Sequence, residues 1–555
     1  MSKRRILGNI IIINILILLC LNLNLFSQSS NQGEIHGNIQ MDAQSYKADS
    51  TINAPKVPEK MLLNSYANLT YTRGKFTAGI RYEAYLNTML GFDARYNGTG
   101  IPYKFITYND ENLEVTAGSF YEQFGMGLVL RTYEEKAIGY DNALEGVRIK
   151  FIPYKGITLK GLTGKQRNFF DVGPGIVRGA DADFSLNELF PFMENSSTII
   201  NLGGSFVSKY QADKDPIYKL PENVGAWASR MQIMRGGWNL YSEYAYKIND
   251  PSTDNRYIYK EGQALLVNLG YTTKGFGWLL NLKRVDNMSF RSDRNATIMQ
   301  LNINYIPIFT RTFTYTLLNK YPYATQANGE IGGGTEILYK FKKGTLLGGE
   351  YGTNISVNYN RLYGLKKSIP SDTNIIGASG TLGYSSPFFE PGNDLFYENV
   401  TTEINKKFSK TFTANFIYQY FSYNFDVLRG MTGHGTVYGH VGVVDAIYRF
   451  SESHALHLDA EVLLSKQDQG NWAMLTAEYS IAPSWFFSAS DQMNFQNPEK
   501  SEANHFYMGS IAYAKGGSRL QIGYGRQPEG VMCIGGVCRN VPASNGFMIS
   551  LSTTF

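Results

Sequence analysis

The densest group of charged residues lies between Gly118 and Asp183 and has the composition of a solute-selecting site. The candidates are Arg131, Glu134, Glu135, Asp141, Arg148, Lys150, Arg167, Arg178 and Asp181. Acidic and basic side chains gathered at a narrow point of a pore select which solutes pass. The same charges can instead pair with one another and only hold a loop in place. The sequence leaves both interpretations open.

Two cysteines near the C-terminus form a second candidate site. Cys533 and Cys538 flank Ile534-Gly535-Gly536-Val537, and the glycine pair allows the chain to bend back on itself. Two thiols without a nearby histidine make a poor set of metal ligands. We therefore predict a local disulfide bond rather than a metal site.

The sequence offers no convincing metal site, catalytic triad or phosphate-binding loop. His434 and His440 bracket a short stretch that could bind a metal, but ordinary loop histidines are the better interpretation. No Ser-His-Asp set is evident, and the run from Gly332 to Gly334 precedes a strand rather than the helix that a phosphate loop needs. We predict no enzyme activity, no catalytic residue, no cofactor and no metal.

Composition narrows the class of protein that must position these residues. The 555 residues are 14 % aromatic and only 18 % charged, whereas about a quarter is usual for charged residues. A mean hydropathy of −0.25 argues against a polytopic helical membrane protein, and the apolar content is too high for disorder. The net charge of +5, of which Lys3, Arg4 and Arg5 supply three units, gives no indication of nucleic-acid binding.

Apolar and polar residues alternate with period two along most of the chain, which indicates β-strands. The alternation is clear from Phe76 to Leu86, from Met299 to Tyr305, from Leu456 to Leu464 and from Phe547 to Phe555. A soluble β-sandwich also alternates, so the period alone does not decide the fold.

The spacing of short turns decides between these folds. Glycine with lysine or arginine marks turns at Gly74, Gly156, Gly236, Gly275, Gly344 and Gly516, and less marked turns lie near Asp110, Asn195, Pro307, Ser409, Ser453 and Pro483. Short turns at one end and longer loops at the other are typical of an outer-membrane β-barrel. We predict an all-β, single-chain, antiparallel transmembrane barrel of about 26 strands (range roughly 22–26), with short periplasmic turns and longer extracellular loops.

The N-terminus has the organisation of a secretory signal peptide. Lys3, Arg4 and Arg5 precede an apolar run over residues 6–26, and the small Ser27 follows. We predict a signal peptide over residues 1–27 and a barrel over residues 28–555; a retained membrane anchor is the alternative. Export would place the cysteines in an oxidising compartment.

Several distinctive motifs carry a resemblance to a known family. GSFYEQFG is followed by GLVLRTYEE and GYDNALEGVRI, and RQPEGVMCIGGVCRNVPASNG lies near the end. The chain resembles an outer-membrane β-barrel family of Bacteroidetes-type bacteria, a domain of unknown function. The resemblance spans the mature chain. It implies the fold and the location, and it implies no activity.

Alternation also predicts which charges face the lumen. Arg81, Glu83, Arg148, Lys150, Asp459 and Glu461 each lie on the strand face opposite to apolar residues, and a charge facing lipid costs about 2–4 kcal/mol at the midplane. The loop from Glu122 to Asn142 mixes apolar and charged residues. We predict that this loop folds into the barrel and narrows it, with Arg131, Glu134 and Glu135 near the constriction.

The sequence favours a porin-like channel for unidentified solutes, narrowed by an inward loop. The alternative is a structural or accessory barrel of an outer-membrane secretion or assembly complex, and a hydrolase is less favoured than either. We expect an outer-membrane location in a Gram-negative cell with both termini in the periplasm. The expected partners are outer-membrane lipid, the barrel-assembly machinery and, under the alternative, other outer-membrane or periplasmic proteins; nucleic acid is not expected.

Overall fold

The chain folds into a β-sheet that closes on itself, as the computed structural model of residues 33–297, 300–498, 503–534 and 537–555 shows. All 24 strands of this sheet pair antiparallel with their neighbours in the chain, and the last strand pairs with the first, so that Asp42 lies opposite Ser550. The predicted signal peptide, residues 1–27, and Met299 of a predicted strand lie outside the described residues.

The barrel strands are numbered in chain order. The first twelve are β1 (Glu34–Tyr46), β2 (Leu62–Arg73), β3 (Phe76–Leu86), β4 (Gly98–Asn109), β5 (Leu113–Phe120), β6 (Leu144–Tyr154), β7 (Ile157–Asn168), β8 (Asp171–Ser185), β9 (Thr198–Tyr210), β10 (Asn223–Arg235), β11 (Trp238–Lys247) and β12 (Gly262–Thr273). The other twelve are β13 (Phe276–Asp286), β14 (Glu330–Phe341), β15 (Thr353–Leu365), β16 (Pro391–Lys407), β17 (Phe412–Asn424), β18 (Thr436–Arg449), β19 (His454–Ser465), β20 (Asn471–Ile481), β21 (Trp485–Gln496), β22 (Asn504–Lys515), β23 (Ser518–Gln527) and β24 (Ser544–Thr554).

Smaller elements lie in the connections. Three short hairpins pair Gln123–Phe124 with Leu130–Arg131, Glu134–Glu135 with Tyr140–Asp141, and Gly530–Ile534 with Val537–Val541. The helices are α1 (Leu186–Leu189), α2 (Phe425–Arg429) and 3-10 turns at Ser50–Ile52, Ala94–Tyr96, Lys136–Ile138, Pro191–Met193, Thr253–Asn255 and Leu317–Asn319. None of the helices in the described ranges is long and apolar enough to cross a membrane.

The prediction of a large antiparallel barrel is confirmed, and the strand count of 24 lies close to the expected 26. The difference comes from residues 287–329, where a turn at Pro307 was expected between two strands. The prediction of that turn is wrong, because this part of the chain leaves the barrel wall between β13 and β14. We call residues 287–329 the inner segment, and we call residues 121–143, between β5 and β6, the inner loop.

Alternation gives the barrel an apolar outer surface. Ile80, Val147 and Ile511 are 41–51 % exposed, while inward neighbours such as Arg81 and Glu83 are almost fully buried. A β-barrel in a bilayer requires such an apolar outer band. The observed register of β3 and β6 therefore agrees with the predicted faces of these strands.

The inner surface of one sector is a dry protein core. Small apolar residues on the inner faces of β8–β13 have no exposed surface: Val177, Val207, Val224, Ala226, Ala245, Ala264, Leu266 and Val285. They pack in one cluster with Phe124 and Leu128 of the inner loop and with Phe290 and Ile303 of the inner segment. Both connections therefore lie inside the barrel, where they fill this sector.

Candidate functional site

The inner loop is fastened across the barrel to β11. The Met126 N–H donates a hydrogen bond to the Glu243 carboxylate (2.7 Å). The neighbouring Gly125 has φ +53°, and a Cβ added there would lie 2.5 Å from the same carboxylate. Only glycine allows so close an approach with this backbone conformation. The loop also pairs with the inner segment, since the Arg131 N–H donates to the Ile303 carbonyl (2.9 Å).

Five charged side chains attach the inner loop to β3 and β7, and we call them the wall network: Arg81, Glu83, Glu134, Asp141 and Arg167. Arg167 binds Glu83 (2.6 Å) and Asp141 (2.6 Å), and Arg81 binds Glu134 (2.7 Å) and Asp141. All of these side chains except Glu134 are at most 6 % exposed. Burial raises the pKa of Glu134, although the Arg81 charge opposes this shift.

Two other candidate residues of the inner loop have local roles. The Arg131 guanidinium lies over the rings of Tyr133 (4.5 Å) and Tyr305 (4.0 Å), an arrangement stabilised by cation–π attraction. The Glu135 carboxylate accepts a hydrogen bond from the Ala137 N–H (3.3 Å) at the start of a 3-10 turn. Both residues thus lie in the loop that was expected to narrow the barrel.

The remaining inward candidates form two further groups. Arg148 on β6 pairs with Glu114 and with Glu122 (3.3 Å), and Lys150 lies on the same inner face of β6. Asp181 on β8 binds Arg230 (2.9 Å) and accepts a hydrogen bond from Ser205 (2.6 Å). The charged stretch therefore supplies three separate ion-paired groups rather than one ring.

Arg178 does not belong to the solute-selecting site that the sequence predicts for all nine candidates. It is exposed on β8, whereas its neighbour Val177 and the inward Asp181 are buried. Successive residues of a strand point to opposite faces, so Arg178 and Asp181, three positions apart, cannot share one face. Arg178 lies on the outer surface of the barrel.

The inner segment is fastened to the opposite wall. The Glu461 carboxylate accepts hydrogen bonds from the N–H groups of Thr316 (3.0 Å) and Leu317 (2.7 Å). The Tyr315 hydroxyl donates to Asp445 (2.8 Å). Glu461 and Asp445 both lie on inner strand faces, so charged wall residues hold the segment in place.

One sector of the inner wall stays partly exposed and polar, and we call it the open wall. It runs over β21–β24, β1 and β2, and its inward residues include Ser488, Ser490, Ser510, Gln521, Ser550, Gln40, Asp42 and Asn68. Asp42 accepts hydrogen bonds from Ser550 (2.6 Å) and Gln40 (2.9 Å), which places these groups on one face. Small hydroxyl and amide groups that retain contact with solvent suit the passage of water and polar solutes.

A family model decides to which group of proteins the sequence is related. It matches residues 7–555, nearly the whole chain, and it is described as a family of unknown function (DUF6029). The chain belongs to this family. No curated protein matches the sequence.

Solved structures with similar architecture are outer-membrane β-barrels. The P pilus usher (PapC) translocation pore is 8 % identical, with a TM-score of 0.43 and coverage of 94 % of this chain and 99 % of the usher chain. A ferric enterobactin receptor (PfeA) mutant from Pseudomonas aeruginosa is 10 % identical, with a TM-score of 0.42 and coverage of 95 % and 81 %. Similarity at this level assigns neither a ligand nor an activity.

Sequence reasoning missed the residues that the loops bring together at the long-loop end. Arg539, Tyr96 and Gln300 line one cavity there, although they are far apart in the sequence. The absence of glycine between Gly277 and Gly329 is no signal for the inner segment, because the confirmed turns near Asp110, Ser409 and Ser453 also lack glycine. No local signal could have joined Arg539 to the other two residues.

The predicted disulfide remains a prediction. The backbone register of the hairpin places Cys533 directly opposite Cys538. Directly opposed residues of an antiparallel pair have Cα atoms about 4.5–5.5 Å apart, which falls within the range of disulfide geometry. The side chain of Cys533 lies outside the described part of the chain.

Proposed function

We propose that this protein is a porin-like channel of the outer membrane that conducts small polar solutes along its open wall. The observation that carries the proposal is the contrast between two inner sectors. Lys209, Glu243 and Val285 have no exposed surface, whereas Ser490, Ser510 and Gln521 remain partly exposed. This contrast supports a polar route along one side of the barrel, whose other side the inner loop and the inner segment fill.

The apolar outer band supports the outer-membrane location. We infer that the long-loop end faces the outside and that the short-turn end, with both termini, faces the periplasm, as is usual for such barrels. Outer-membrane lipid would cover the apolar band.

The inner loop supplies the charges of the proposed constriction. Glu134 is 22 % exposed and Lys136 is 26 % exposed, so both remain accessible to solvent. The Lys136 ammonium group lies over the ring of Tyr66 on β2 (4.9 Å), next to the open wall. The wall network behind these residues keeps them in position, so the two interpretations of the charged stretch are compatible.

Single-channel recording in planar bilayers tests the proposal. Ser510→Trp places a large side chain on the open wall, and Ile511→Trp places the same side chain on the lipid-facing side of the same strand. We expect a steady conductance in the unmodified protein, a several-fold lower conductance in Ser510→Trp and no change in Ile511→Trp. A closed unmodified barrel, or equal effects of both variants, would contradict the channel.

One observation favours the alternative, an accessory barrel of a secretion or assembly complex. Phe192 is 83 % exposed and Leu346 is 98 % exposed, and both lie in the longer turns of the short-turn end. Each has an exposed apolar neighbour in the same turn, Phe190 (44 %) and Leu347 (58 %), and contiguous exposed apolar residues mark partner surfaces. A photo-crosslinking amino acid at position 192 should trap a specific periplasmic protein in cells under this alternative, whereas the same group at Lys155, in a two-residue turn, should not.

A further inference from the structure

A cavity of about 320 Å³ lies among the loops at the long-loop end. Its walls come from residues 91–96 between β3 and β4, from the inner loop, from the end of β7, from the inner segment and from the hairpin Gly530–Ile534 with Val537–Val541. Its volume is at the lower end of the range for small-molecule sites, about 300–1,000 Å³. Five separate parts of the chain therefore meet around a space of ligand size.

The carboxylates of this cavity are already neutralised. Asp93 binds the Arg95 guanidinium (2.6 Å) and accepts a hydrogen bond from the Arg95 N–H (2.9 Å). Asp141 belongs to the wall network, where Arg81 and Arg167 bind it. These acidic groups thus have cationic partners and do not form a free cation site.

Arg539 is the exception among the charged groups of the cavity. Its guanidinium donates only to the carbonyl oxygens of Leu90 (3.5 Å) and Ala137 (3.1 Å), and no carboxylate of the described residues lies within 4.0 Å of it. The guanidinium also lies over the Phe92 ring (4.0 Å), and its Nε is buried without an acceptor. Burial lowers the pKa of Arg539. One positive charge in the cavity therefore lacks an anionic partner.

The other cavity walls fit the organic part of a ligand. Tyr96 and Phe169 contact each other edge to face with ring centroids 4.7 Å apart, and the amide side chains of Asn168 and Asn540 line the same space. A guanidinium with free N–H groups binds a carboxylate with paired hydrogen bonds, while aromatic walls accept a flat ring. Because Asp93 and Asp141 are already paired with arginines, the one unpaired guanidinium of Arg539 matches a ligand with a single negative charge.

We propose that this cavity binds a small organic monocarboxylate, with its carboxylate on Arg539 and its ring against Tyr96 and Phe169. The inference rests on the proposed function, because the cavity would then be the outer solute site of the channel. Arg539 is the residue that selects for the negative charge. The aromatic residues and the two amides would bind the remainder of the ligand.

Calorimetry on the full-length protein in detergent tests the site with two matched pairs of probes. Benzoate is compared with benzyl alcohol, and glucuronate with glucose, so that each pair differs mainly in the carboxylate. We expect at least one acid to bind at millimolar concentration or better, and at least tenfold more tightly than its uncharged counterpart. Failure of both acids to bind, or equal affinity within each pair, would overturn the proposal.

Variants assign the binding to this cavity. Arg539→Gln should weaken acid binding at least tenfold, whereas Lys466→Gln removes the same charge from an exposed position in another loop and should not change it. Arg539→Lys keeps the charge and should retain part of the affinity, which keeps the test decisive if Arg539→Gln does not fold. Unchanged binding in both Arg539 variants would refute the site. Because calorimetry requires no current, a conducting protein that fails to bind acids would refute this site and leave the channel intact.

Discussion

Arg167 illustrates how a single residue fixes the position of the inner loop. Its guanidinium joins Glu83 on β3 to Asp141 of the loop, and all three side chains are at most 6 % exposed. A buried ion pair contributes little net stability against an apolar replacement, because the pair must lose its water. Removal of one partner is costly, however, since the other charge stays buried.

We therefore expect Arg167→Met to lower the free energy of unfolding by about 3–5 kcal/mol. The matched control is Arg95→Met, because Arg95 and Asp93 form an exposed pair with side chains 56 % and 34 % exposed. An exposed pair contributes about 1 kcal/mol or less. Urea titration of the protein refolded in detergent measures both values, and equal losses in the two variants would argue against the wall network.

Glu134 should lower the free energy of unfolding at neutral pH relative to acidic pH. Burial raises the pKa of this carboxyl above its usual value of 4.5, so the folded protein resists ionisation of Glu134 more than the unfolded chain does. The resulting penalty is present at neutral pH and disappears as the pH falls below 4.5, where both states are protonated. Glu134→Gln should therefore be more stable than the unmodified protein at pH 7, and the advantage should vanish near pH 4. Urea titrations at both pH values measure this difference, and a less stable variant at pH 7 would disprove the assignment.

At the level of elements, the sequence determined the strands more clearly than the connections. Period-two alternation located β3, β19 and β24, because one face of each strand contacts apolar surroundings and the other does not. The same pattern from Leu301 to Tyr305 led to a wrong strand. There Asn302 forms only an isolated bridge with Arg291, and Leu301 and Ile303 are buried in the protein interior rather than in a barrel wall. Alternation shows that the two faces of a segment have different surroundings. It does not show whether the apolar face contacts lipid or the protein interior.

The candidate site was predictable only in part for the same reason. Strand alternation placed Arg148 and Lys150 on an inner face, and the apolar content of the inner loop indicated that it enters the barrel. Treating the whole charged stretch as one site led to the error at Arg178, although period two already separates it from Asp181. The contribution of Arg539 depends on contacts between distant loops, which no local pattern contains.

The hairpin with Cys533 and Cys538 is the element that carries Arg539. A disulfide that closes so short a loop contributes roughly 2 kcal/mol at most in the chain-entropy model. We expect the double substitution Cys533→Ser with Cys538→Ser to leave the barrel folded, because the strand ladder carries its stability. Mass spectrometry of the non-reduced parent protein should find the two cysteines linked, and calorimetry should find weaker benzoate binding in the variant. Free thiols in the parent would contradict the bond, and unchanged binding would contradict its role in positioning Arg539.

At the level of the whole molecule, the strand ladder of the barrel closes independently of the inner segment. The ladder of 24 strands closes through β24 and β1 without any contribution from the inner segment. The ends of that segment are adjacent, because Val285 on β13 pairs with Glu330 on β14. A short linker can therefore replace the inner segment without changing the order of the strands.

Replacement of residues 290–326 by a short Gly-Ser linker gives the most direct test of this independence. The apolar inner faces of β8–β13 would then meet water, so we expect the free energy of unfolding to fall while the far-UV circular dichroism still reports a β-barrel. The cleared sector should also raise the single-channel conductance several-fold, because the solute route would no longer be confined to the open wall. A control replaces the mostly exposed residues 371–379, in the loop between β15 and β16, by a similar linker and should leave the conductance near that of the parent. Loss of the barrel signal on removal of the inner segment would show that the filling is required for the wall to form, and an unchanged conductance would show that current does not pass through this part of the lumen.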